Sequence, residues 1–448
     1  MNANNRIIIV GGNAAGPAAA AKAKRQNPHA EIIMFEAGEF ISTGTCELPY
    51  LLKGDIKNYQ DIVFFDPEKF LKEKGVKVYI NHRVESIDRR KKIIKVKNLQ
   101  DGSVVEEKYT KLVLATGSKA KTIPILSGNL TNLFNLKSVS DYLKIKKYIE
   151  GKSLNNVLII GAGYIGLETA EAFVNLGAKV TILEKAELPL PLVDDELQRL
   201  VLETLNKNGV EFIGGTDAEF ITENDRIKHV KIEGRIKEYD LYLSSIGFEP
   251  NNSLAIGAQL EIGKFGGLKV DNKMRTSDPN IYAAGDNVEI VNKVTGKKDY
   301  IPLATYAHQQ GHTAGANAAG GNERTRPIVH NAAVKIFDKA VCTIGLSSKQ
   351  AADHLYKFES VSKVVRNLVG VMPESEKVFG KIIYEKDSKL ILGASFIGQC
   401  EVIGFGNIIS LMIKNKIKAE ELASVDYNYT PPLSPFINLL SVLGRNIK

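Results

Sequence analysis

Residues 156–168 read NVLIIGAGYIGLE, an apolar run followed by a glycine-rich turn and a second apolar stretch with helical spacing. In such a pattern Gly161 makes the tight turn between strand and helix. Gly163 lets the backbone approach a pyrophosphate, and Gly166 lets the helix pack closely on the strand. The stretch therefore predicts a strand, a phosphate-binding turn and a helix whose N-terminus faces the phosphates.

A glutamate ends the next apolar run, at residues 180–184. In dinucleotide-binding units an acid at this position hydrogen-bonds the ribose 2′-hydroxyl, and it repels a 2′-phosphate. Glu184 therefore favours NADH over NADPH, and the neighbouring Lys185 weakens that preference. A helix N-terminus without a ligand is the alternative, but turn, spacing and acid together argue against it.

The same order of features occurs near the N-terminus. Arg6–Val10 (RIIIV) is followed by GGNAAG from Gly11 to Gly16, an Ala-rich stretch, and an apolar run that ends at Glu36. Asn13 occupies the place of the middle glycine, so this copy is the weaker match. Two copies of one unit indicate an internal duplication of a nucleotide-binding domain.

The rest of the chain contains more strands and a change of character. Further apolar runs end in glycine turns at 112–118 (LVLATGS), 243–251 (LSSIGFEPN) and 276–286 (TSDPNIYAAGD). From about Arg326 apolar and polar runs alternate, which predicts an antiparallel sheet with helices on one side. The Pro-rich segment 427–435 (YNYTPPLSP) predicts an ordered loop.

The composition limits the possible functions. The chain has 448 residues, 44% of them hydrophobic, 25% charged, and a net charge of +8. Its basic residues are scattered, so we expect no nucleic-acid partner. No apolar run spans a bilayer and no signal peptide precedes the first strand, so we expect no membrane association and a cytoplasmic location. Three cysteines without a CxxC pair predict neither a disulfide framework nor a metal site.

These motifs, in this order, resemble the pyridine nucleotide-disulfide oxidoreductase family over essentially the whole chain. The resemblance implies an α/β fold with two Rossmann-like domains, for FAD and for NAD, and a C-terminal α+β dimerisation domain. The implied FAD domain is discontinuous, covering 1–118 and 248–325. The NAD(P)H domain then covers 119–247, and the dimerisation domain covers 326–448.

The resemblance also implies the cofactor contacts. Asp286, at the end of the segment 276–286, would hold the ribityl chain of FAD. The aromatic after the second glycine of the NAD motif covers the flavin until nicotinamide displaces it, unless it only packs. The implied contacts for FAD and for NADH or NADPH are Gly11, Gly16, Glu36, Ala115, Gly117, Gly161, Gly163, Tyr164, Gly166, Glu168, Glu184, Gly247, Asp286 and Ala304.

A single cysteine follows the first unit, in the stretch 42–46 (STGTC). This is similar to the SxxxC pattern of NADH oxidases, NADH peroxidases and coenzyme A-disulfide reductases. Oxidases and peroxidases carry a His where this chain has Ala14. The Pro-Tyr after Cys46 and the motif Tyr429-Thr430-Pro431-Pro432 match the coenzyme A-disulfide reductases. Residues 371–373 (VMP) replace a Tyr-Tyr-Pro turn of that group.

The implied reaction passes a hydride from NADH through FAD to Cys46, which reduces a small disulfide or persulfide such as coenzyme A disulfide. In the family, Tyr429 lies beside the cysteine of the partner subunit, which makes the enzyme a homodimer. Ser42, Lys22 and Arg25 are the candidate substrate contacts, although the two bases also suit a solvated helix face.

Several alternatives stay open. Cys46 in an oxidase or peroxidase cycles through a sulfenic acid. An electron-transfer reductase that feeds a protein partner does not need Cys46 at all, and a flavin-bound redox sensor or interaction protein has little turnover. We expect Cys342, in a strand-like run, to be a core residue, and Cys400, at the end of a glycine-containing strand, to be structural.

Overall fold

In a computed structural model, which describes residues 5–126 and 128–448, each glycine-rich motif follows the central strand of a five-stranded parallel sheet. In both sheets the strand that leads to the predicted ribose glutamate lies on one side of the central strand. A strand that is followed by a glycine turn lies on the other side. In spatial order the first sheet consists of Ile281–Ala283, Lys111–Leu114, Arg6–Val10, Glu31–Phe35 and Lys77–Tyr79. The second consists of Leu133–Phe134, Leu241–Ser244, Asn156–Ile160, Lys179–Glu184 and Glu211–Gly214.

The central strands are buried on both faces, as parallel strands covered by helices require. All residues of Arg6–Val10 after the first are buried, and the same holds for Asn156–Ile160. This explains why both strands read as unbroken apolar runs rather than as alternating patterns. The matching topology of the two sheets confirms the predicted pair of Rossmann-like folds.

Small antiparallel sheets extend the two parallel ones. Each parallel sheet is accompanied by a three-stranded meander, and further strands form pairs. The meanders are His82–Asp88, Ile93–Asn98 and Val104–Lys108, and Ala218–Glu223, Arg226–Ile232 and Arg235–Lys237. The pairs are Ile41–Thr43 with Val63–Phe65, Ser118–Ala120 with Phe248–Pro250, and Ile290–Val291 with Lys298–Asp299.

The C-terminal part forms an antiparallel five-stranded sheet, as the alternating pattern predicts. Its spatial order is Asn331–Ile336, Lys339–Gly345, Ile391–Gly398, Lys377–Glu385 and Phe358–Arg366. The last strand was not predicted, because it is an edge strand without a fully buried residue, and its Ser and Lys residues weaken the apolar signal. The segment 427–435 contains no helix, as predicted.

Helices pack against each of the three five-stranded sheets. The α-helices are Ala15–Gln26, Leu48–Lys53, Pro67–Lys74, Val139–Ile149, Tyr164–Asn175, Asp195–Lys207, Ser253–Gly257, Ala304–Ala318, Ser348–Asp353, Glu401–Asn415 and Leu439–Gly444. The 3₁₀ turns are Thr45–Glu47, Tyr59–Ile62, Pro124–Leu126 and Ala419–Ala423. Within the described part of the chain, none of these helices combines the length and the apolar character that a membrane crossing needs.

Candidate active site

A cavity of about 1890 Å³ is lined by the turns that follow strands of the first parallel sheet and by residues of the second parallel sheet and of the C-terminal sheet. Sites for one small ligand usually measure about 300–1,000 Å³. Both glycine-rich turns and Cys46 contribute to the lining, together with Asp286. The cavity is therefore large enough for more than one ligand, and it brings the two predicted nucleotide sites and the cysteine together.

Each glycine of the second motif is required for a different structural reason. Gly161 has φ +104°, and a Cβ there would lie 2.7 Å from the carbonyl oxygen of Ser245. A Cβ on Gly166 would collide with the carbonyl of Gly161. A Cβ on Gly163 would meet no protein atom within 4 Å, although this residue lines the cavity. The protein does not fill the space above Gly163, as the approach of a pyrophosphate requires.

The first motif keeps the same geometry despite Asn13. Gly11 has φ +110°, and a Cβ on Gly16 would collide with the Gly11 carbonyl. The side-chain oxygen of Asn13 accepts hydrogen bonds from the Thr43 backbone N–H (3.0 Å) and hydroxyl (3.3 Å). Asn13 thereby ties the turn to the strand that precedes Cys46, which is a physical reason for a residue other than glycine.

The two predicted ribose acids are held in the same way. Glu36 accepts hydrogen bonds of 2.6 Å from the backbone N–H of Gly12 and, with its other oxygen, of Gly38. Glu184 accepts the N–H of Ala162 at 2.8 Å and of Ala186 at 3.0 Å. Each carboxylate is thus fixed against its own glycine-rich turn, on the lining of the cavity.

A half-buried lysine, Lys137, lies next to the acid predicted for the ribityl chain. The Ser118 hydroxyl donates to Asp286 Oδ2 at 2.8 Å, and Lys137 Nζ donates to the Ser118 oxygen at 2.9 Å. The Lys137 ammonium also lies 4.2 Å from the ring centroid of Phe248. Burial lowers the pKa of Lys137, while Asp286 raises it. Lys137 was not among the predicted site residues, because nothing in the sequence around it marks this lysine.

Cys46 lies in the 3₁₀ turn Thr45–Glu47, directly before the helix Leu48–Lys53, and its side chain is exposed to the cavity. The surrounding protein still desolvates the sulfur, which raises the thiol pKa, and the neighbouring carboxylates of Glu47, Glu168 and Asp286 raise it further. Lys137 acts in the opposite direction. The thiolate at this position thus depends on a positive charge more than the sequence suggested.

The helix that carries the NAD motif contacts the short helix after Cys46. The Tyr50 hydroxyl donates to Glu168 Oε1 at 3.1 Å. One turn further on, Lys53 pairs with Glu171 at 2.8 Å, and the other Glu171 oxygen accepts the backbone N–H of Phe337 at 2.8 Å. Burial raises the pKa of Glu168 to about 7, Glu171 adds to the rise, and the Tyr50 hydrogen bond opposes it.

Tyr164 reaches the C-terminal sheet. Its hydroxyl forms a 2.8 Å hydrogen bond with Thr343 Oγ1, and the residue lines the cavity. Ala115, Gly117, Gly247 and Ala304 line the same cavity. The structure thus brings these predicted cofactor contacts together, and Gly16 and Gly166 lie behind them as packing positions.

The candidate substrate contacts lie elsewhere. Ser42 has φ +51°, its hydroxyl oxygen is buried without a hydrogen-bond partner, and it is not part of the cavity lining, so the site geometry does not support a direct substrate contact by Ser42. Lys22 pairs with Glu323 at 2.7 Å. Neither Lys22 nor Arg25 is part of the cavity lining. Tyr429 is 48% exposed, with its ring edge-on to Phe436.

The remaining cysteines differ from each other. Cys342 is buried in the strand Lys339–Gly345, where burial raises its pKa to about 12, so its predicted core position is confirmed. Cys400 is exposed and occupies the N-cap position of the helix Glu401–Asn415, without a side-chain capping hydrogen bond. The prediction that Cys400 ends a strand is therefore wrong, because the strand ends at Gly398, and the exposed thiol gives no support to a structural role.

Comparison with known proteins agrees with this geometry. Residues 5–311 match the family described as pyridine nucleotide-disulphide oxidoreductase, and residues 331–439 match the dimerisation domain of that family. The chain belongs to the pyridine nucleotide-disulphide oxidoreductases. It is 32% identical to an NADH oxidase of Methanocaldococcus jannaschii over 98% of both chains.

Two solved structures of oxidoreductases are similar along almost the whole chain. The reduced Bacillus anthracis CoADR-RHD has a TM-score of 0.94 at 31% identity, over 99% of this chain and 80% of that one. An NAD-dependent persulfide reductase from A. fulgidus has a TM-score of 0.94 at 32% identity, over 98% and 82%. As a member of this oxidoreductase family, the protein is an FAD- and NAD(P)H-dependent enzyme.

Proposed function

We propose that the protein uses NADH to reduce a small disulfide or persulfide, with Cys46 as the redox thiol. The observation that carries this proposal is the exposure of Cys46 to the cavity onto which both glycine-rich turns open. Cys342 is buried, and Cys400 is not part of the cavity lining. Cys46 is therefore the cysteine that a disulfide in the cavity can reach.

The proposed reaction balances as NADH + RSSR + H⁺ → NAD⁺ + 2 RSH. The Cys46 thiolate attacks one sulfur of the substrate, the substrate S–S bond breaks, and a mixed disulfide forms as the first thiol leaves. Two electrons from NADH then cleave the mixed disulfide, which releases the second thiol and restores Cys46. Bound FAD supplies the means to pass these electrons from nicotinamide to sulfur.

We assign the cofactors to the two motifs. For FAD, the fixed Glu36 carboxylate suits a ribose hydroxyl, and Asp286 suits the ribityl chain. The NADH pyrophosphate takes the open space above Gly163, with Glu184 at its ribose, and Tyr164 and Glu168 border the nicotinamide. The domain boundaries at 118, 247 and 325 follow from the same assignment and are supported by the sheet memberships of the strands.

We further propose a homodimer in a reducing compartment, where free thiols persist. Matching of residues 331–439 to a dimerisation domain supports this, as do the exposed apolar side chains of Val371, Leu433 and Phe436. In such a dimer, the partner's Tyr429 completes the site around Cys46. A coenzyme A-linked substrate is supported by relatives named coenzyme A disulfide reductase in Staphylococcus aureus, with Lys22 and Arg25 as candidate phosphate contacts.

Oxygen reduction is the second candidate, because the M. jannaschii relative is named NADH oxidase. Against it, Ala14 offers no titratable side chain beside the cavity. Oxygen consumption and thiol release, measured at equal NADH concentration, separate the two. If oxygen accounts for the NADH consumed in the presence of coenzyme A disulfide, the sulfur assignment is wrong.

Cys46→Ser tests the assignment directly, with Cys400→Ser as the matched control for loss of an exposed thiol. We expect Cys46→Ser to abolish thiol release from coenzyme A disulfide while NADH still bleaches the flavin absorbance at the wild-type rate. Cys400→Ser should leave both rates unchanged. Thiol release by Cys46→Ser at the wild-type rate would contradict the proposal.

A further inference from the structure

Reduction of a disulfide by NADH consumes one proton in addition to the hydride, and the site contains a carboxyl group suited to hold it. Glu168 lines the same cavity as Cys46 and begins the second turn of the helix Tyr164–Asn175. Of its two oxygens, Oε1 accepts the Tyr50 hydroxyl at 3.1 Å. Among residues 5–126 and 128–448, no lysine or arginine pairs with this carboxylate.

Glu168 differs in this respect from the next carboxylate of its own helix. Glu171, one turn further along the same helix, pairs with Lys53 at 2.8 Å, and Lys53 also pairs with Asp55 at 3.0 Å. The available ammonium group is thus committed to the neighbouring carboxylates. Glu168 keeps only a neutral hydroxyl donor, so its charged form is weakly stabilised in a desolvated position.

We propose that the Glu168 carboxyl, held by the Tyr50 hydroxyl, stores the proton that reduction of a disulfide at Cys46 consumes. In this step the Glu168 O–H bond breaks and an S–H bond forms on the departing thiolate. The carboxylate is then reprotonated from bulk solvent, which supplies the H⁺ of the overall reaction. Tyr50 is a positioning residue, because it acts only through Glu168. The inference rests on the proposed disulfide reduction.

Electrostatics around the pair give the proton store its working range. Burial and the Glu171 charge raise the pKa of Glu168 to about 7, so the carboxyl is neutral below neutral pH and charged above it. A charged Glu168 in turn raises the thiol pKa of Cys46, as Glu47 and Asp286 do, whereas Lys137 lowers it. The protons on Glu168 and Cys46 are therefore coupled: loss of one disfavours loss of the other.

Alkylation of Cys46 by iodoacetamide in the reduced holoenzyme, without NADH or disulfide, measures this coupling independently of turnover. Only the thiolate reacts, so the rate follows the thiolate fraction. We expect wild type and Glu168→Gln to react equally below pH 6. Above pH 7 the variant should react about tenfold faster, because it lacks the repelling charge. The wild-type profile should therefore break near pH 7, and the variant profile should not.

Two further variants separate position from charge. Tyr50→Phe removes the hydrogen bond that favours the charged carboxylate, so the break should move to higher pH. Glu47→Gln removes another charge beside Cys46, so it should raise the rate throughout this range and keep the break. A wild-type profile without a break, or Glu168→Gln parallel to wild type at every pH, overturns the inference.

Turnover supplies the second measurement. We expect thiol release by wild type to fall as pH rises through about 7, because the stored proton is lost. Release by Glu168→Gln at pH 6 should be about 10²-fold slower. Equal rates for both enzymes at pH 6 would refute proton storage. If wild type releases no thiol at any pH, the proposed function fails, whereas the alkylation profile tests the coupling by itself.

Discussion

Gly161 and Gly163 lie two residues apart in one turn, and alanine at each should have opposite consequences. Gly161 has φ +104°, and an added Cβ would lie 2.7 Å from the Ser245 carbonyl oxygen. Strain of this backbone costs about 1–3 kcal/mol, and the steric clash costs a similar amount. Gly163 has φ −78°, which alanine adopts freely, and its Cβ would touch no protein atom. Its substitution should change stability by about 0.5 kcal/mol or less.

NADH binding should respond in the opposite way: it should weaken in Gly163→Ala, whose stability is unchanged. The space above Gly163 is where we place the pyrophosphate, so a methyl group there should weaken NADH binding by about tenfold or more, as overpacking by 1–3 kcal/mol implies. We expect Gly163→Ala to keep the wild-type Tm and bound FAD, with a raised KM for NADH. Gly161→Ala should lower Tm by about 4 °C or more.

Thermal denaturation and steady-state kinetics on the two purified variants provide the comparison. Retained FAD absorbance in both shows that the first nucleotide site is unaffected. If Gly163→Ala binds NADH as tightly as wild type, the pyrophosphate does not lie above this residue. If Tm falls equally in both variants, protein atoms occupy the space above Gly163 in solution.

Three more predictions concern the coenzyme and the thiol. Because Glu184 lies at the ribose position, kcat/KM for NADH should exceed that for NADPH by about tenfold or more, and the ratio of the two values measures this; a higher value for NADPH would contradict it. Lys137→Met should raise the pKa of Cys46 and slow its alkylation at pH 7.5 about tenfold, whereas Lys137→Arg should restore the rate; a rate unchanged in Lys137→Met would exclude an electrostatic role. Tyr429→Phe should slow thiol release about 10²-fold without affecting flavin reduction, if its hydroxyl donates a proton across the dimer; unchanged thiol release would leave Tyr429 a packing role.

The duplicated nucleotide-binding fold was accessible from sequence because its signals are local. Within some 30 residues each copy contains a buried strand, a glycine turn and a terminal acid, and the structure places Glu36 and Glu184 in matching positions. The physical requirements of each turn are strict, since only glycine tolerates the backbone of Gly11 and Gly161. Patterns of this kind can therefore be recognised in the sequence without any knowledge of the tertiary structure.

The contacts that set the charge of the site could not be predicted from the sequence. Tyr50 and Glu168 are 118 positions apart, and Ser118 and Asp286 are 168 apart. These pairs depend on how the chain crosses between the two sheets, which no local pattern encodes. The exposed position of Cys400 has the same origin, because it depends on where the last strand ends relative to its helix.

The helix Tyr164–Asn175 has a consequence for protein engineering. Glu171 pairs with Lys53 and accepts a hydrogen bond from the backbone of Phe337, and Tyr164 forms a hydrogen bond with Thr343. One helix of the proposed NADH-binding domain, the coenzyme module, is thereby linked both to the proposed FAD domain and to the C-terminal domain. A chimera that imports this module from a relative, for instance to change coenzyme preference, must import compatible partners for these side chains as well. Grafting only the ribose-binding loop around Glu184 leaves the joints intact and is the safer exchange.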